Sequence, residues 1–79
     1  MPEQHARHIN LRTVLARLDA EGIAGYAEQA AFIGEVTELS LSIMDGGGDI
    51  DGLFARHVEW AVQRRNGWMD ELHSDPLEI

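Results

Sequence analysis

The run Asp45-Gly46-Gly47-Gly48-Asp49 is the strongest constraint on what this chain can fold into. Inside a helix each glycine gives up about 1 kcal/mol relative to Ala, so three in succession end any helix that reaches them. Gly22, Gly34 and the pair Asn66-Gly67 break the remaining sequence in the same way. Between these breaks apolar residues recur at three- and four-residue spacing, and no segment sustains the alternation of a strand. Leu11, Val14, Leu15 and Leu18 share one face of a first helix predicted over 10–21, with Asn10 as N-cap and Gly22 as stop. A second helix over 24–33 puts Tyr26, Ala27, Ala30 and Ala31 on a narrow face whose small side chains allow close approach. A third starts near Glu35 or Val36 and turns Leu39, Ile43 and, in one register, Met44 inward. A fourth, from about Asp51 to Gln63, buries Leu53, Phe54, Val58 and either Val62 or Ala61, with Asp49 or Asp51 as its cap. Trp68, Met69 and Leu72 make a last helical turn before Pro76. The expectation is therefore all-α: a compact bundle of about five short helices, with one domain over 9–73 between a flexible N-terminus (1–8) and a flexible acidic C-terminus (74–79).

The charge is distributed unevenly. Fourteen Asp and Glu stand against six Arg, a net −8 with His neutral. Residues 1–17 carry Arg7, Arg12 and Arg17 against Glu3, and residues 53–65 carry Arg56, Arg64 and Arg65 against Glu59. Between them, residues 18–52 hold Asp19, Glu21, Glu28, Glu35, Glu38, Asp45, Asp49 and Asp51 with no basic residue. Such a balance excludes a general binder of nucleic acid or anionic membrane. An apolar fraction of 44% against 25% charged is that of a globular chain rather than a disordered one. Seventy-nine residues leave room for one small core, and the absence of cysteine removes disulfides, thiolate metal sites and Cys nucleophiles. No uncharged stretch exceeds the six residues of Leu39–Met44, too short to span a bilayer, and Met1–Asn10 has no signal-peptide apolar run, so cytoplasmic placement is expected.

Catalytic chemistry has little support. The sequence has no Ser or Cys nucleophile motif, no phosphate loop after a strand and no carboxylate pair at a recognisable spacing, so neither an enzyme nor a cofactor is expected. His5 and His8 lie three residues apart, as metal ligands on a helix could, but near a terminus expected to fray, and His57 reads as an ordinary surface residue. The acids around Gly46–Gly48 resemble a calcium loop only superficially. Counted from Asp49, the fifth position is Leu53, where a ligand is needed. Arg56, Arg64 and Arg65 form a candidate residual basic patch, although cations at a helix C-terminus also favour the helix dipole. Trp60, offset from the Phe54–Val58 face, is a candidate interface residue.

The order of helices resembles the phage-repressor or Xre-type helix-turn-helix family. Asn10-Leu11-Arg12 with Leu15 is similar to the family's first helix, Ala30 and Gly34 to the residues shaping its turn, and Leu41-Ser42 to the end of its third helix. Ile50-Asp51-Gly52, Ala55-Arg56-His57-Val58-Glu59 and Gly67-Trp68-Met69-Asp70 are similar to its fourth helix and the segment that follows. The resemblance covers roughly residues 9–73 and implies a lambda-repressor-like fold, with DNA read by the third helix. That helix offers Glu35, Thr37, Glu38 and Ser40 where bases and phosphates call for Gln, Ser, Asn, Arg or Lys. The expected function is accordingly transcription regulation by protein contact, in a phage or mobile-element setting. The acidic surface of Glu28, Glu35, Glu38, Asp45, Asp49 and Asp51, with Thr37 and Ser40, would engage a basic partner such as RNA polymerase, a repressor or another nucleic-acid-binding protein. A Cro-like sequence-specific DNA-binding dimer and a DNA-mimicking inhibitor of a nucleic-acid enzyme stay open as alternatives.

Overall fold

Four α-helices and a closing 3-10 turn succeed one another in the computed structural model, which describes residues 2–73; Met1 and the tail 74–79 lie outside the described residues. The helices are α1 (Pro2–Ala20), α2 (Tyr26–Ile33), α3 (Glu38–Asp45) and α4 (Gly52–Ala61), and the 3-10 turn is Trp68–Asp70. No strand occurs among the described residues, and no helix there is long and apolar enough to cross a membrane. α1 packs on α3 and on the closing turn, α2 on α3 and α4, and α4 on the closing turn. Leu11, Val14, Leu15 and Leu18 from α1 meet Ala30 and Ile33, Leu41 and Met44, Phe54, Ala55 and Val58, and the closing Trp68 and Met69 in one core. Each large apolar side chain fully buried there contributes about 1.5–3 kcal/mol.

α1 begins two turns earlier than the expected start at residue 10. Pro2 suits a first helical turn, where its missing N–H has no partner to lose, and Glu3 complements the helix dipole. Tertiary hydrogen bonds then hold the early turns against the glycine loop. Gln4 pairs with the Ile50 backbone in both directions, its Nε2 donating to Ile50 O at 2.6 Å and its Oε1 accepting from Ile50 N at 2.9 Å. Arg7 Nη1 donates to the same carbonyl at 2.8 Å, and His8 Nε2 lies 2.7 Å from Gly48 O. Asn10 is not a cap. It is buried in mid-helix, with Nδ2 donating to the carbonyls of Met69 at 2.8 Å and Glu71 at 2.7 Å.

α3 also differs from expectation. Its N-cap is Thr37, whose hydroxyl accepts from Ser40 N at 3.0 Å, so the helix starts two or three residues late. At 100° per residue Leu41 and Met44, about 60° apart, share a face that Leu39 and Ile43 do not. Leu41 and Met44 are buried, whereas Leu39 and Ile43, expected inward, are exposed. On α2, Ala30 is buried and Tyr26 half-buried, but Ala27 and Ala31 face solvent, and the helix begins at Tyr26 rather than Ala24. α4 buries Phe54 and Val58 as expected and is capped by Asp51, whose Oδ1 accepts from Phe54 N at 2.7 Å. Leu53, expected in the core, is exposed, and Leu72, expected in the last helical turn, lies beyond Asp70 and is exposed.

Candidate functional site

The short connection between α2 and α3 shapes the main concavity. Gly34 has φ 83° and ψ 161°, a conformation open essentially only to glycine. Glu35 follows in the left-handed region at φ 59°, and Thr37 caps α3. This path brings Glu35 opposite the start of α4. Between them lies a groove of about 670 Å³ bordered by Glu35, Asp49 and Asp51, with Val36, Ile43, Met44 and Phe54 as its apolar wall and Thr37 and Ser40 as its hydroxyls. A second hollow of about 310 Å³ adjoins it, lined by Glu35, Asp51, Leu53, Phe54 and His57. Glu35, Asp51 and Phe54 border both, so the two form one trough.

No Arg lines either compartment. The ion pairs among the described residues involve none of Glu28, Glu35, Glu38, Asp49 and Asp51. The structure thus brings together Glu35, Thr37, Ser40, Asp49 and Asp51 of the expected surface. It leaves out the other three acids. Glu28 is exposed on α2 and Glu38 on the first turn of α3, away from the groove lining. Asp45 borders a separate hollow with Arg12, Tyr26 and Gln29, where the Tyr26 hydroxyl donates to its Oδ2 at 2.5 Å. That hydrogen bond to a carboxylate, aided by burial, raises the phenol above its ordinary range.

The expected basic patch is not a free one. Arg56 Nε sits 2.8 Å from Glu59 Oε1 and its Nη2 3.1 Å from Asp70 Oδ2. Arg65 pairs with Glu71. Arg64 and Arg65 lie beyond the end of α4 at Ala61 rather than in its last turn, and Arg64 N donates to Glu59 O at 2.7 Å. Arg7 Nε meets the same Asp70 at Oδ1, 2.6 Å away, and Arg17 pairs with Glu21 at 2.7 Å. The Arg7 hydrogen bond, and then that from Arg56, hold the Asp70 carboxyl below the usual carboxylate range, and the same contact raises Arg7.

Glu59 is the functional-looking residue that the sequence reading passed over. Its side chain is 0% exposed and accepts from Gly67 N at 3.1 Å and Met69 N at 2.7 Å as well as pairing with Arg56. Ala55, Val58, Glu59 and Val62 fall at helical spacing on one face, which is the signal that could have placed it inside. Its role is internal: a buried carboxylate with every contact made to its own chain.

Trp60 is 77% exposed on the outer side of α4, its ring 6.2 Å from that of His57. It does not line the trough. His8 is engaged with the glycine loop, and His5 stands exposed beside it. Among the described residues no three His, Asp or Glu are grouped to hold a metal ion. Compared with family models, curated proteins and solved structures, the chain matches none.

Proposed function

We propose that this chain is a small helix-turn-helix regulator of transcription that acts by protein contact, docking a basic partner through the acid-bordered trough between α3 and α4. In this reading α2 and α3 are the helix-turn-helix pair, and the docking face occupies the position where a DNA-reading helix would stand. The observation that carries it is the coincidence of three carboxylates, Glu35, Asp49 and Asp51, with an apolar wall and no Arg. Carboxylates alone would be a solvated surface. Joined to Val36, Ile43, Met44 and Phe54, they offer both charge and area to be desolvated.

The arginines add support. Arg7, Arg17, Arg56 and Arg65 are occupied by carboxylates of their own chain, so contact with phosphate would have to break existing pairs. DNA affinity depends largely on cations meeting phosphates, and here the exposed charge of the face is negative. A cation 4 Å from a carboxylate in water gains about 1 kcal/mol, and salt screens it beyond about 8 Å at physiological strength. Opposed charge therefore speeds and orients the encounter, while the apolar wall holds the complex.

Titration against purified RNA polymerase subunits and helix-turn-helix repressors tests the reading. Expected is binding to at least one that weakens with salt and is abolished by Glu35→Arg/Asp49→Arg. Absence of binding at low salt, or binding indifferent to the charge reversal, would overturn it.

A further inference from the structure

We infer that the occupant of the trough is an amphipathic helix with two apolar anchors on one face and Arg or Lys beside them. This deepens the proposed function and rests on it. The trough is divided in two. Ile43 and Met44 line only its larger compartment, Leu53 and His57 only its smaller, and Phe54 borders both. At about 670 and 310 Å³ each compartment has room for at least one apolar side chain, and a helix presents such a pair from positions three, four or seven apart.

The charges fall where that helix would need them. Glu35 and Asp51 border both compartments, so a cation placed between the two anchors meets both carboxylates, and one over the larger compartment alone meets Asp49. Ile43, at 56% exposed, and Leu53, at 82%, offer open apolar surface, one in each compartment. A helix of about 16 residues is about 24 Å long, close to the 27 × 24 × 19 Å extents of the molecule. An acidic helix is excluded by the carboxylates, and an extended basic strand would carry its anchors on alternate residues with no ladder edge to pair with, since no strand occurs among the described residues.

The test uses a designed helical peptide of about 16 residues, with Leu at positions i and i+4 and Arg between and beyond them, against the whole chain. The controls are a scrambled peptide of the same composition and the version with Glu in place of Arg. Amide chemical shifts should move for residues 35–37, 43–44, 49–54 and 57, with affinity falling as salt rises. Removal of charge by Glu35→Asn/Asp49→Asn, and of apolar surface by Leu53→Ser, should each weaken binding about tenfold. All three residues are exposed, and a circular dichroism melt checks that each variant is folded. Equal binding by the scrambled peptide, shifts confined to α1 or the Trp60 side, or no binding at about 1 mM would overturn the inference. If the peptide fails while a purified partner binds in a charge-dependent way, the occupant is wrong and the protein-contact function stands. If the peptide binds and no partner does, the function is wrong and the occupant stands.

Discussion

Glu59 and Trp60 are neighbours in sequence with opposite consequences. The Glu59 carboxylate, fully buried, neutralises Arg56 and takes the amide protons of Gly67 and Met69, so it fastens the closing turn onto α4. Removing it leaves the amides of Gly67 and Met69 unmatched while Arg56 keeps Asp70, and Glu59→Ala should destabilise by about 2–4 kcal/mol in chemical denaturation. Trp60→Ala, at a side chain 77% exposed, should change stability by about 0.5 kcal/mol or less. Asp70 gives a pH dependence of known sign. Its carboxyl is held down by Arg7 and Arg56, so its folded pKa lies below its unfolded one. The stability it contributes is present above the ordinary carboxylate range and is lost as pH falls through the folded value. Denaturation of the parent and Asp70→Asn across pH 7 to 3 should show a difference that is largest near neutrality and shrinks toward acid.

The elements depend on a few backbone positions. At Gly34 a side chain would meet both a Gly-only conformation and His57 Nε2 at 3.3 Å. Gly34→Ala should destabilise by about 1–3 kcal/mol and displace Glu35 from the trough. Asp51→Ala removes the cap of α4 and should lower stability by about 1 kcal/mol, read from the denaturation midpoint. That cap was legible in the sequence, as were the helices of α1, α2 and α4 and the buried Phe54 and Val58. The start of α3 was not. Glu35 in the left-handed region extends the connection past Gly34, a choice that its residue type does not signal, and Leu41 joins Met44 in the core while Leu39 and Ile43 stay outside. The early turns of α1 were illegible for a different reason. Gln4, Arg7, His8 and Asn10 carry no apolar period, and their partners lie more than forty residues away in Ile50, Asp70 and Met69, or forty in Gly48. Of the expected surface, the composition of residues 18–52 named Glu35, Asp49 and Asp51, which border the groove, together with Glu28, Glu38 and Asp45, which do not. It could not distinguish the first three from Asp45, which Tyr26 occupies elsewhere.

At the scale of the whole molecule, net charge −8 is divided by the fold rather than averaged over it. Arg7 and Arg56 converge with Asp70 and Glu59 into one network tying α1, α4 and the closing turn, which uses cations internally. The carboxylates of residues 35, 49 and 51 are left around an apolar trough. A molecule so divided should repel a polyanion and attract a basic apolar surface, with both effects fading as salt rises. A mobility-shift titration with a pool of random-sequence duplexes at low salt tests that claim most directly. The account predicts no saturable shift at any concentration at which the chain stays folded and soluble. A saturable, sequence-selective shift would contradict it.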